Sequence, residues 1–195
     1  MKKTFFIVPG FYGEPTDNNF KWLSRFLKQK GFDVKIVPIK WRYLTMLEYS
    51  KQFVNYYKKH TSGKNYVLGF SYGAVIAFLT ANELRPRKIF LCSLSPDFKE
   101  DLRAMKPWMR KYVGKKRIEN IKTRSGVKIA KSLNIPSVIF YGEIEARQFP
   151  QLKIRCEQTG KLAAKSKVVV VKDAPHKIDH INYIASIQNE LKSIT

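Results

Sequence analysis

A serine hydroxyl becomes a nucleophile when a tight turn lifts it clear of its neighbours and a helix N-terminus favours the negative charge that develops. The pentapeptide Gly69-Phe70-Ser71-Tyr72-Gly73 has the composition for such a turn, G-x-S-x-G, with glycine two positions either side of Ser71. The apolar run Tyr66-Val67-Leu68 leads into it and an alanine-containing helical stretch leaves it, so a strand turns into a helix at the serine. The same five residues also suit a plain glycine-bounded turn in which Ser71 only caps the helix. Three histidines could carry a proton. His60 ends a helical segment before Gly63 and suits the surface. His176 follows the last strand-like run, and His180 opens the last helix. The i, i+4 spacing of His176 and His180 could serve a metal, but no carboxylate or third ligand accompanies it, so neither a metal nor a cofactor is expected. Cys92 and Cys156 allow at most one disulfide and no zinc cluster, which points to a reducing compartment.

The elements that must position these groups alternate. Short apolar, β-prone runs fall at residues 5–8, 34–38, 66–68, 89–92, 137–141 and 168–171. Between them lie helix-length segments. Residues 17–30 place Phe20, Leu23 and Leu27 on one face, with Asp17 as the expected N-cap and Gly31 as the stop. Thr45 and Glu48 have capping-box spacing and open a helix carrying Leu47, Val54 and Tyr57. A helix from 72 to 84 ends before Pro86. Pro150 starts a helix with Leu152, Cys156 and Leu162, and the last helix uses Ile184, Ile187, Leu191 and Ile194. Fully apolar strands separated by helices predict a sheet covered on both faces, because each right-handed crossover lays a helix on it. The expected fold class is α/β: a three-layer sandwich with about six mainly parallel strands, in a single domain spanning 1–195. Residues 97–134 break the rhythm. They hold 12 basic and 4 acidic residues, with Trp108, Met109, Tyr112 and Val113 interleaved, and form a short, basic, lid-like segment.

The chain's 195 residues fit one domain, and 44% hydrophobic residues rule out a disordered or collagen-like polymer. No apolar run approaches the roughly 20 residues of a spanning helix. The stretch after Met1-Lys2-Lys3 stops at Pro9, short of the about 7–15 residues of a secretory core, so a cytoplasmic protein is expected. Lys+Arg 37 against Asp+Glu 15 gives a net charge of +22, which bears on attraction for anionic partners rather than on fold.

On its strand, G-x-S-x-G turn and helix, the chain resembles the α/β-hydrolase superfamily over residues 5–191. It is short for that superfamily and is most similar to its small, compact serine hydrolases, with no large lid. The resemblance implies a minimal α/β-hydrolase fold with a catalytic triad. It implies that Pro9-Gly10-Phe11-Tyr12-Gly13, after the first strand, is the oxyanion loop, with the backbone N–H groups of Phe11 and Tyr72 as donors. Pro9 stands where relatives carry histidine; a backbone donor can survive that change. It implies that His176, in Lys172-Asp173-Ala174-Pro175-His176, is the base for Ser71. Tyr141-Gly142-Glu143-Ile144-Glu145 resembles the family's strand-then-Gly-x-x-acid element, with Glu145 at the acid position. Glu143 and Asp97 are alternatives for that acid. Phe11, Tyr12, Tyr72 and Phe98, in loops at strand C-terminal ends, are expected to make an apolar substrate mouth, with Tyr12 and Phe98 in the pocket.

The expected function is hydrolysis of carboxylic esters or thioesters through an acyl-enzyme on Ser71. One alternative is a catalytically silent protein of the same fold that binds anionic partners through its basic surface. Another keeps the fold but performs acyl transfer or haloperoxidase-like chemistry. The basic segment suits an anionic surface or an acidic carrier protein, and equally a merely solvated helical face. No dedicated nucleic-acid signature is present.

Overall fold

The computed structural model describes residues 2–194, and Met1 and Thr195, the two ends of the expected domain, lie outside them. Strands β1 (Lys3–Val8), β2 (Phe32–Ile36), β3 (Lys64–Phe70), β4 (Lys88–Cys92), β5 (Ser137–Gly142) and β6 (Ser166–Val171) form one sheet in the order β2-β1-β3-β4-β5-β6. Every neighbouring pair is parallel. Side-chain alternation along β1 shows how the layers arise. Phe6 and Val8 face α2 (Met46–His60), α3 (Tyr72–Leu84) and α8 (Pro150–Leu162), while Phe5 and Ile7 face α1 (Lys21–Gln29) and α9 (Ile181–Leu191). Strand order reverses at β1, whose neighbours are β2 and β3, and the C-terminal ends of β1 and β3 open the crevice where ligands enter such sheets.

Several local expectations need correction. Asp17 caps no helix: its carboxylate accepts from Glu14 N–H at 2.8 Å, and the chain enters α1 through a 3₁₀ turn at Asn18–Phe20. Phe20, Leu23 and Leu27 are nevertheless the buried face, and Gly31 leaves the helix at φ 79°. The Thr45–Glu48 capping box is formed, but α2 buries Met46, Tyr49, Phe53 and Tyr57 and leaves Leu47 exposed. A face with three aromatic rings removes more apolar area from water than one built on Leu47 and Val54. Strand β2 starts two residues earlier than expected, at Phe32. Strand β6 is an edge, and Val170 is half exposed there.

Between β4 and β5 the chain makes a 3₁₀ turn (Lys99–Arg103) and three short helices, α4 (Pro107–Val113), α5 (Lys115–Lys122) and α6 (Gly126–Ser132). Buried ion pairs fasten the root of this segment. The Arg155 guanidinium on α8 grips the Asp101 carboxylate in bidentate fashion, 2.6 and 3.2 Å, and lies 4.9 Å from the Phe98 ring centroid. Arg124 donates to Asp97 Oδ2 at 2.5 Å. Both pairs are almost wholly out of water. Among the described residues no helix is long and apolar enough to cross a membrane.

Candidate active site

Ser71 sits between β3 and α3 with φ 55° and ψ −118°, a backbone conformation that costs a residue with a side chain about 1–3 kcal/mol. The surrounding packing imposes it. A Cβ on Gly73 would lie 2.1 Å from Val8 O, and one on Gly69 would lie 2.2 Å from Gly73 O. The first turn of α3 is therefore pressed against the end of β1 and against its own strand, and Ser71 is squeezed outward. Ser71 N–H donates to Cys92 O at 2.9 Å, tying the turn to the end of β4.

Glu145 and His176 meet across two further strand ends. Glu145, on α7 (Glu143–Gln148), is fully buried, and its Oε1 is in hydrogen-bond contact with His176 Nδ1. Its Oε2 accepts from Gly142 N–H at 3.0 Å and from the Ser93 hydroxyl at 2.9 Å. Ser93 spends its proton on Glu145, so the contact between Ser93 Oγ and Tyr183 Oη at 2.7 Å is donated by the tyrosine. Burial, with the nearby Glu145 charge, pushes the Tyr183 phenol well above its ordinary pKa, which keeps it a donor. The Ala174 carbonyl accepts from both Ile144 N–H (3.1 Å) and Glu145 N–H (3.2 Å), so the loop bearing His176 is bonded directly to the helix bearing Glu145. The His176 ring rests against Phe70, with centroids 4.8 Å apart.

Ser71 and His176 open into one cleft of about 580 Å³. Its walls are Met105, Trp108 and Met109 from the segment between β4 and β5, and Phe149, Pro150 and Leu152 from the start of α8. The Ser71 hydroxyl shares a hydrogen bond with Ser95 Oγ at 3.2 Å, and among the described residues none joins it to His176. Nucleophile–base bonds commonly tighten only with substrate present.

The other sequence-selected residues fall elsewhere. Asp97 is committed to Arg124, and burial raises its carboxyl to about 6 against that partner's pull. Glu143 is on the surface, paired with Arg147 at 2.9 Å and accepting from Asp173 N–H at 3.2 Å. Neither touches His176. Phe98, expected at the mouth, is fully buried, edge-on to Phe78 at 5.7 Å and beneath Arg155: the chain turns inward after β4, and a ring that size fills the core. Tyr12 is exposed at φ 60°, its ring tilted against Phe11 at 4.1 Å and away from the cleft walls. Phe11 is buttressed by Trp41 at 5.6 Å and Tyr72 at 5.3 Å, and Trp41 Nε1 donates to Gly13 O at 3.0 Å. These contacts hold the turn after β1 beside Ser71; a Cβ on Gly10 would lie 3.3 Å from that of the serine. Tyr72 is the first residue of α3, so its N–H has no acceptor within the helix. His60 bonds to Tyr56 O, and His180 caps α9 by accepting from Asn182 N–H; among the described residues no cluster of side chains could hold a metal. Three residues of the network were missed. Ser93 and Ser95 flank Leu94 directly after β4, a position that could have flagged them, whereas nothing in the spacing connects Tyr183 to residues ninety positions earlier.

No family model matches this chain, and no curated protein does. Solved structures do. Est1E from Butyrivibrio proteoclasticus aligns with a TM-score of 0.79 at 16% identity, covering 99% of this chain and 88% of that one. MGS-MChE2, an alpha/beta hydrolase enzyme from the metagenome of lagoon sediments at Mar Chica, Morocco, aligns with a TM-score of 0.77 at 14% identity over 100% and 92%. MenH from S. aureus aligns at 0.73 and 11% identity over 98% and 94%. The chain has the α/β-hydrolase fold, in a minimal six-stranded form.

Proposed function

We propose that this protein is a serine hydrolase acting on carboxylic esters or thioesters through an acyl-enzyme on Ser71. One observation carries the proposal most: a buried carboxylate, Glu145, held by Gly142 and Ser93, contacts the inner nitrogen of a histidine that shares a cleft with a serine on a strained strand-to-helix turn. In this mechanism His176 Nε2 takes the Ser71 proton as Oγ attacks the substrate carbonyl. Glu145 holds the Nδ1–H tautomer and steadies the imidazolium that forms. The backbone N–H groups of Phe11 and Tyr72 receive the oxyanion, assisted by the N-terminus of α3. His176 then returns its proton to the leaving alcohol or thiol, and water, deprotonated in the same way, releases the acid. The esterases and hydrolases that share the fold support this reading. The apolar cleft walls favour an acyl or aryl group over a charged substrate.

Labelling with a fluorophosphonate probe, together with p-nitrophenyl ester turnover, tests the proposal. Wild type is expected to label and turn over, Ser71→Ala to do neither, and His176→Ala to lose turnover. A folded wild type that neither labels nor hydrolyses overturns it.

A further inference from the structure

Helix α4 buries none of its residues, yet it displays Trp108, Met109 and Tyr112 to solvent, with Tyr112 84% and Trp108 63% exposed. Trp108 and Tyr112 are one turn apart and lie on the same side of the helix. Phe149, also exposed, lines the same cleft as Trp108 and Met109. A helix that exposes a tryptophan, a tyrosine and a methionine gains nothing from the core for doing so. Charge supplies the second observation. Residues 102–118 contain seven lysines and arginines and no acidic residue. Arg103, Lys106, Arg110, Lys111, Lys115 and Lys116 are exposed, and among these Lys116 pairs with Glu48 at 3.4 Å while Arg110 caps Leu102 O. Amphipathic rings among ammonium and guanidinium groups match the headgroup layer of an anionic bilayer, where rings sit at the acyl boundary and cations at the phosphates.

We infer that α4 and the neighbouring rim at Phe149 dock this protein on anionic lipid surfaces, with the cleft opening toward the bilayer. Docking rests on the surface alone and is independent of the proposed Ser71 chemistry.

Cosedimentation of the full chain with vesicles tests it, with Trp108 emission as the local reporter in a Trp22→Phe, Trp41→Phe background. Vesicles of phosphatidylcholine mixed with phosphatidylglycerol are expected to bind the protein and shift Trp108 emission to shorter wavelength; phosphatidylcholine alone is expected to bind far more weakly. Trp108→Ala combined with Tyr112→Ala is expected to weaken partitioning about tenfold. Lys106→Glu combined with Lys111→Glu is expected to weaken it at least tenfold, since each cation near an anionic surface contributes on the order of fivefold. All four side chains are exposed, so these variants keep the fold. Ser71→Ala is expected to partition like wild type, so a lost hydrolysis and a lost docking read out separately. Absence of vesicle binding overturns the inference. So does binding that leaves Trp108 emission unmoved or ignores both double variants, because the charge of the whole molecule then suffices. A Trp108 shift produced by single-stranded DNA and not by vesicles also overturns it, in favour of a nucleic-acid surface.

Discussion

Replacing Glu145 by glutamine keeps the volume and the number of hydrogen-bonding atoms while changing which of them donates. The Oε2 position receives two donors, Gly142 N–H at 3.0 Å and Ser93 O–H at 2.9 Å. Placing the new amide nitrogen there would set donors against donors in a fully buried site and cost about 1–3 kcal/mol. The glutamine must therefore keep its carbonyl on Ser93 and Gly142 and turn its NH₂ toward His176 Nδ1. That nitrogen then has to accept, which moves the imidazole proton to Nε2 and leaves no base for Ser71. The analogous loss of an orienting carboxylate in a serine protease costs about 10⁴-fold, or about 5 kcal/mol of transition-state stabilisation. Glu145→Gln is thus expected to reduce kcat on p-nitrophenyl esters about 10⁴-fold and to shift thermal unfolding little. Turnover within about tenfold of wild type in a folded variant would refute the assignment of Glu145 as the orienting acid.

Gly73→Ala places a Cβ 2.1 Å from Val8 O, backbone that cannot swing aside, so urea unfolding is expected to show a loss of about 3 kcal/mol or more; a variant as stable as wild type would contradict the close approach of α3 to β1. Tyr183→Phe deletes the donor to Ser93 and is expected to cost about 1 kcal/mol of stability and a several-fold fall in kcat/KM, whereas an unchanged kcat/KM would confine Tyr183 to packing. Asp97, raised from 3.8 to about 6 by burial, binds its proton more tightly folded than unfolded. Its stabilisation is complete below about pH 4 and fades by about 3 kcal/mol as pH climbs through about 6. Asp101, also raised, acts in the same direction. Chemical denaturation across this window is expected to show the slope in wild type and a flatter one in Asp97→Asn; an equal slope in both would place its origin elsewhere.

Most of the frame was legible because it depends on local patterning. Apolar runs, Gly31, the Thr45–Glu48 box and the glycines around Ser71 each answer to a constraint within a few residues. The serine turn was especially so, since Gly69 and Gly73 exist there to let backbone meet backbone. The choice among Glu145, Glu143 and Asp97 was not settled by local features. All three follow strands, and what separates them is the contact of Glu145 with His176, the pairing of Asp97 with Arg124 and the pairing of Glu143 with Arg147. Phe98 shows the same limit: a loop at a strand's C-terminal end can point into the core as easily as into the crevice. Tyr183 was invisible because its contact with Ser93 is made by the sheet, which brings the end of β4 over the first turn of α9.

The Arg155–Asp101 pair joins two parts of the chain that lie far apart in sequence. Asp101 lies at the root of the covering segment and Arg155 belongs to the frame, and each is the other's counterion out of reach of water. Removing Asp101 with its segment would strand a guanidinium in the interior at a cost of several kcal/mol. A variant with this segment shortened or exchanged therefore keeps a stable frame only if Arg155 is replaced at the same time.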